Sequence, residues 1–525
     1  MNEKLRTIVK ELVKTRVKNR EHFVNVKRQL SNGQKMASPL NSDLIRVYNQ
    51  LIKTKQIKED KNLELLMRKR QVRSLSGVAV ITIITKPYPC PGKCIYCPDE
   101  SGMPKSYLSN EPAVMRAIMN DWDPFKQVSV RLQSLKNNGH PTDKIEIIVL
   151  GGTWSAYTKP YQTHYLKRTL DALNGRTAKT LEQAQKWNET TKHRMVGLTL
   201  ETRPNFITPT ELSRMRMLGC TRIEMGVQNT FDSVLKLNKR GNTVKQIAEA
   251  TKLVKTAGFK IAYHTMPNLP GSNLKMDLQM YKDLFNDQRF QPDLLKIYPC
   301  VVTRDSVLYD WYKAGKFKPY TDKQLKNLLI KIKQVIPKYV RIIRLVRDIP
   351  EESIIAGNKI TNLRQIIQDE IKDTPKACKC IRCREAGHQI QNSKFKIQNS
   401  KFFIKKYKAS DGLEYFLSFE SQDETVLYAF LRLRINDDIN TNFIPELKGA
   451  ALIRELHTYG QLAPLGKTEK VQHLGLGKSL MAKAEEIATK EGIKKIAVIS
   501  GIGVRQYYGK LGYQLEGTYM VKKLD

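Results

Sequence analysis

VAVITIITKPYPCPGKCIYCPDE, residues 78–100, is the stretch on which the reading of this chain turns. It begins as a continuous apolar run rich in β-branched residues, as a strand buried on both faces does. It then breaks into a loop stiffened by Pro87, Pro89, Pro91, Gly92 and Pro98, which carries Cys90, Cys94 and Cys97. Three of only eight cysteines within eight positions is not chance spacing. Structural zinc takes four ligands, usually in two separated pairs. Three thiolates leave one metal position open, which is what a 4Fe–4S cluster needs when one iron must bind a small substrate.

Outward from this loop the apolar runs recur: KIEIIVL (144–150), RMVGLTLE (194–201), RIEMGV (222–227), KIAYHTMP (260–267) and LLKIYP (294–299). Amphipathic stretches such as NTVKQIAEATKLVKTAG (242–258) lie between them. About six β/α units over residues 76–374 predict an α/β domain, an incomplete β/α barrel with its site at the strand C-terminal ends. Gly151, Gly152 and Thr153 follow the second strand, where paired glycines let a ligand approach the backbone. Glu201 and Arg203 in TLETRP, and Glu224 and Gln228 in IEMGVQ, are polar groups at strand ends, individually no more than hydrogen-bonding residues. Tyr96 is placed to shield a cluster, stack on a purine or pack the loop. Cys220 reads as buried core.

The flanks differ. Residues 1–75 hold 19 Lys+Arg against 7 Asp+Glu, and Leu5, Ile8, Val9, Leu12 and Val13 recur at helical spacing, predicting a basic helical module. Residues 375–405 form a basic connector with Cys378, Cys380 and Cys383, which reads as a structural zinc site whose fourth ligand is Cys300 or, locally, His388. The tandem IQNSKFK and IQNSKFF in this connector reads as an insertion or mobile loop. Residues 406–525 turn to antiparallel strands, a glycine turn and a helix, predicting a separate α+β domain. Its Gln472, Gly475 and Gly477 form Q-x-x-G-x-G between strand and helix, a turn stripped of side chains so that backbone N–H groups can cradle a pyrophosphate.

Ninety Lys+Arg against 51 Asp+Glu give a formal charge of +39, which implies a polyanionic partner. Nucleic acid is favoured over membrane, because the sequence has no apolar run of about 18 residues and no apolar signal segment. Clustered cysteines fit a reducing cytoplasm.

The cysteine triplet resembles that of the radical S-adenosylmethionine superfamily. IRELHTYG, QHLGLG and VRQYYGKLGY together resemble the GNAT acetyl-CoA-binding fold. Their union, with DKIEIIVLGGT, LTLETRP, MGVQNTFDSVL and MPNLPGS, resembles the catalytic subunit of Elongator and its stand-alone bacterial and archaeal relatives over nearly the whole chain. Asn268 departs from the family's glycine, and the IQNSKF repeat is not a family feature. The CKCIRC connector is similar to the prokaryotic branch, implying work without a large Elongator complex.

The resemblance implies modification of the tRNA wobble uridine at carbon-5. A deoxyadenosyl radical would take hydrogen from the acetyl methyl group of acetyl-CoA, the carbon radical would add to the base, and thioester hydrolysis would leave a carboxymethyl group. The implied cofactors are a 4Fe–4S cluster, S-adenosylmethionine, acetyl-CoA and Zn2+; the implied partners are the tRNA anticodon loop and an electron donor such as ferredoxin or flavodoxin. By matched motif, Gly151 to Thr153, Glu201, Arg203 and Gln228 would hold S-adenosylmethionine. Lys144 would meet acetyl-CoA from the barrel, opposite Glu455, Leu456, His457, Thr458, Leu476, Gly477, Lys478 and Tyr508. Lys144, Tyr507 and Tyr508 become the catalytic candidates, with core packing the plain alternative for the tyrosine pair. Two other readings compete: a protein-lysine acetyltransferase with an inactive barrel, and a non-catalytic tRNA-binding scaffold.

Overall fold

Strands apolar on both faces must be covered on both, and here they curve into a parallel sheet with helices outside. The computed structural model describes residues 2–68, 77–372, 374–375, 377–389, 400–459 and 475–525. Seven strands lie in chain order: β1 (Ala79–Ile84), β2 (Lys144–Leu150), β3 (Arg194–Thr202), β4 (Arg222–Gln228), β5 (Lys260–Thr265), β6 (Leu294–Ile297) and β7 (Arg341–Leu345). All neighbours are parallel, and the edge strands β1 and β7 each have one strand neighbour, so the barrel is incomplete. About six units were expected; the seventh strand, RIIRL, hides from an apolar-run search because Arg341 and Arg344 line the interior. The crossover helices follow from local chemistry. Helix Val244–Thr256 starts on a Thr243/Gln246 capping box and buries Ile247, Ala250, Thr251 and Val254 at helical spacing.

The basic N-terminal module is helical as expected: α1 (Asn2–Lys14), α2 (Arg20–Gly33), α3 (Asn41–Lys53) and α4 (Lys61–Met67). Leu5, Ile8, Leu12, Leu44, Tyr48 and Leu51 form its own apolar core. It leans on the barrel through α3, which contacts helix Pro124–Asn137.

The C-terminal sheet comprises β8 (Lys401–Lys408), β9 (Gly412–Glu420), β10 (Leu427–Asn436), β11 (Ala451–Thr458), β12 (Lys495–Val498), β13 (Gln514–Glu516) and β14 (Tyr519–Lys523). Their order is β13-β14-β12-β11-β10-β9-β8, antiparallel except for β11 beside β12. One face packs helix Leu476–Lys490 through Leu480, Met481 and Ala484. On the other face, Phe416, Phe430, Leu452 and Tyr519 join the barrel's own apolar core. The first IQNSKF copy lies outside the described residues, but the second runs into β8 at Lys401–Phe403, so that part is an edge strand and not a mobile loop.

The C-terminal domain docks at the strand starts, the end of the barrel opposite the cysteine loop. Gly501 and Gly503 pack so closely on Val196 and Arg194 that a Cβ at either would strike backbone. Beside them, Asp293, just before β6, pairs with Arg454 and lies 3.6 Å from Arg432. Among the described residues, no helix is long and apolar enough to cross a membrane.

Candidate active site

The loop after β1 presents a buried Cys94 with Cys90 and Cys97 half-buried beside it. Cys94 Sγ accepts from Arg240 Nη1 at 3.6 Å and from Arg203 Nη1 at 3.7 Å. The hydrogen bond with Cys97 and these two guanidiniums hold the Cys94 thiol down at about 4, against the opposing effect of burial. Cys97, the other partner in that hydrogen bond, is pushed the other way by that bond and by its loss of solvent. A thiolate facing two fixed cations fits an anionic iron–sulfur cluster, and Gly92 keeps the approach open, since a Cβ there would collide with the Arg203 guanidinium.

The strand ends around the triplet carry the expected groups. Gly151 and Gly152 adopt φ of 128° and 103°, and a Cβ on Gly151 would strike Thr85. Thr153 Oγ1 is 4.0 Å from Cys90 Sγ. Glu201 accepts from Tyr107 Oη at 3.1 Å and lies 3.6 Å from His264 Nδ1. Gln228 is held at φ 68°, and its buried Oε1 has no hydrogen-bond partner among the described residues. Such an orphaned atom beside a cavity fits a polar ligand that is bound there in use. Glu224 plays a different part. It is sealed beneath the cavity floor, pairs with Lys296 and His264, and is held well below the usual carboxylate range despite its burial.

A single cavity of about 1470 Å³ connects this end to the C-terminal domain through the barrel's interior. Five strands, β2 to β5 and β7, start on a cation: Lys144, Arg194, Arg222, Lys260 and Arg341. All but Arg194 line the cavity. Burial lowers Lys144 from its ordinary value. Arg222 pairs with Glu146 at 2.5 Å, and Lys260 reaches Glu455 of β11 at 3.6 Å. That periodic basic start was visible in the sequence, though only the fold shows that it forms one rim.

On the C-terminal side, β11 pairs with β12 as far as Ile453↔Val498, after which, among the described residues, Glu455 to Thr458 have one edge without a strand partner, on the cavity side. Gly475, at φ 76°, caps helix Leu476–Lys490; Gln472 lies outside the described residues. At Gly477 a Cβ would meet Tyr507 Oη at 3.1 Å and Thr458 Cγ2 at 3.7 Å, so the cleft narrows there to a glycine's width. Lys478, Tyr507 and Tyr508 line the same cavity, while Leu476 is packed into the core. The structure therefore places Lys144 and Tyr508 on opposite walls of one space. Arg240, His264 and Lys296 also line it, and sequence reading missed all three: His264 and Lys296 sit singly inside apolar runs, and Arg240 in a basic loop, LNKRGN, with no motif of its own.

In the connector, the ligand atoms of Cys378, Cys380 and Cys383 all lie within 4.8 Å of one another, a set able to hold a metal ion. Tetrahedral zinc with ~2.3 Å bonds to sulfur needs that compactness. Hydrogen bonds from Cys378 and Cys383 push the Cys380 thiol well down from its ordinary value, against the opposing effect of burial. Cys300 is not the fourth ligand in this arrangement: it is buried in a separate apolar cluster with Cys94, Tyr96 and Val302, at the other end of β6. The His388 side chain lies outside the described residues. Cys220 is fully buried core, as expected.

Comparison with known proteins agrees with this architecture. Residues 87–284 match the Radical SAM superfamily, residues 292–373 the Radical_SAM C-terminal domain, and residues 385–513 the Acetyltransferase (GNAT) family. The chain is 42% identical over 513 residues to tRNA uridine(34) acetyltransferase of Methanocaldococcus infernus, covering 94% of this chain and 96% of that protein. It is 44% identical to the protein of that name from Dehalococcoides mccartyi, covering 87% of this chain and 100% of the relative. To human Elongator complex protein 3 it is 39% identical, covering 87% and 86%. The solved structure of archaeal Elp3 from M. infernus, with residues 1–46 deleted, matches with a TM-score of 0.75 at 41% identity, over 86% of this chain and 100% of that one.

Proposed function

We propose, for a chain that belongs to the family of the tRNA uridine(34) acetyltransferases and Elongator complex protein 3, that it installs a carboxymethyl group on carbon-5 of the tRNA wobble uridine. The observation that carries this reading is the continuous cavity, with the cysteine triplet at one end and the glycine-narrowed cleft of β11 at the other. Cys90, Cys94 and Cys97 would each ligate one iron of a 4Fe–4S cluster, with S-adenosylmethionine against Gly151 to Thr153, Glu201, Arg203 and Gln228. Together those groups supply, when bound, a carbon-centred oxidant able to take hydrogen from an unactivated methyl group.

The remaining work falls to the chain. Arg203 and Arg240 neutralise the anionic end of the site, and the enclosed cavity excludes water from reactive carbon. The rim cations Lys144 and Lys260 meet an acyl carrier that enters from the C-terminal domain. The free edge of β11 holds its extended arm, and the start of helix Leu476–Lys490 lies where the pyrophosphate would be bound. Cys378, Cys380 and Cys383 would bind zinc and pin the connector, whose Ile381 N–H already donates to Val340 O of the barrel at 2.9 Å. The N-terminal module would add phosphate contacts, and an external one-electron carrier would supply the reductant.

The deciding experiment is anaerobic incubation of the reconstituted protein with tRNA, acetyl-CoA, S-adenosylmethionine and reductant, followed by nucleoside mass spectrometry. Carboxymethylated uridine at the wobble position is expected. Acetylated protein lysine with unmodified tRNA would overturn the reading in favour of a lysine acetyltransferase.

A further inference from the structure

His457 sits on the free edge of β11, two residues beyond Glu455 and on the same face, looking into the shared cavity. Its ring packs against two aromatic rings that also touch each other: Phe430 of β10 at 6.0 Å and 15°, and Tyr459 at 4.4 Å. The Nε2 atom is buried and makes no hydrogen bond with the described residues. A polar atom buried without a partner is costly, so one held at the wall of a cavity points to a ligand that pairs with it there. The charged groups that face it are Arg341 from β7, Lys260 from β5, Glu455 on its own strand and Glu385 from the connector.

Resting on the function proposed above, we propose that the neutral imidazole of His457 donates its Nε2–H to the thioester carbonyl oxygen of the acyl-CoA. In hydrolysis, the oxygen of water bonds to the carbonyl carbon and the carbon–sulfur bond breaks. The electron pair leaves with sulfur, and one water proton ends on it, giving a carboxylic acid and free thiol. Negative charge gathers on the carbonyl oxygen in between, where a fixed donor is most effective. Burial and Arg341 hold the ring down at about 4, so it is uncharged throughout the neutral range and its donor strength does not change with pH there. A neutral histidine in such a role is an established catalytic device.

The test uses the full-length chain and acetyl-CoA carrying 13C at its carbonyl carbon, and reads the infrared carbonyl stretch of the bound thioester without needing the iron–sulfur cluster. In the parent protein the band should lie below its position in water and stay constant from pH 5 to 8. With each protein saturated with acetyl-CoA, the band should return upwards in His457→Ala, and His457→Gln, which keeps an N–H donor, should recover part of the shift. In the loaded enzyme, tRNA-dependent thioester hydrolysis should fall by about 100- to 1000-fold in His457→Ala, the usual effect of removing one oxyanion donor. If His457→Ala binds acetyl-CoA with the parent's carbonyl band, the proposal is wrong while the function stands. If the parent does not bind acetyl-CoA, the function proposed above fails with it.

Discussion

Replacing Asp293 by asparagine probes the joint that makes one cavity out of two domains. Asp293 and Glu414 are fully buried where the barrel meets the C-terminal sheet. Arg454 bonds both carboxylates, at 3.0 Å to Asp293 Oδ1 and 2.9 Å to Glu414 Oε2. Arg434 and Lys255 join Glu414 at 3.1 and 3.3 Å. Arg432 bridges Asp293 to Glu455, which Lys260 also reaches. Cations outnumber carboxylates here, so the two kinds of substitution should differ. Asp293→Asn leaves two buried guanidiniums short of an anion and should cost about 3–5 kcal/mol, or roughly 150- to several-thousand-fold in the docking equilibrium. Lys255 is held down to about 8 by burial, so its charge is already disfavoured, and Lys255→Met should cost less than about 1 kcal/mol. Denaturant unfolding gives both values, and hydrogen exchange at β5, β6, β10 and β11 shows whether the loss is local to the joint. Acid should have the same effect. Glu414 and Glu455 are each held down to about 2 in the fold, so the stability they confer is complete above their unfolded value of about 4.3 and is lost as pH falls towards 2. Equal costs for Asp293→Asn and Lys255→Met would refute the charge argument and leave apolar packing to hold the domains together.

Cys94→Ala, reconstituted anaerobically, should lack cluster absorbance and reductive cleavage of S-adenosylmethionine; full cleavage would remove the cluster from this loop. Metal analysis should find zinc lost in Cys380→Ser and kept in Cys300→Ser, whose thiol the structure sets apart, and the reverse result would restore Cys300 as a ligand. Lys144→Ala and Tyr508→Phe should each greatly reduce tRNA modification while cluster and tRNA affinity survive, and parent rates in both would show that the two walls act separately. Deleting residues 1–75 should weaken tRNA binding by more than about tenfold and flatten its salt dependence, as loss of several phosphate contacts requires. Unchanged affinity in a folded truncation would place the tRNA site elsewhere.

What could be read in the sequence was whatever local chemistry alone imposes. Strands buried on both faces need apolar runs, and β1 to β6 show them. Three thiolates able to share one metal cluster need close spacing, and Cys90, Cys94 and Cys97 have it directly after a strand. A turn that approaches a phosphate must be free of side chains, and Gly475 and Gly477 report that. The tertiary structure decided what depends on residues distant in the chain. β7 went unseen because its arginines face inwards, and Cys300 was misassigned because the end of β6 lies by the cysteine loop and not by the connector. Above all, the sequence could not show that the C-terminal domain closes the strand-start end of the barrel. Five strands starting on a cation look like ordinary solvated ends when each is read in isolation. Folding sets them in a ring and buries Asp293 against Arg432 and Arg454, and Glu414 against Lys255, each across the domain boundary, so that desolvation, which no linear pattern encodes, turns scattered charges into one joint and two sites into one cavity.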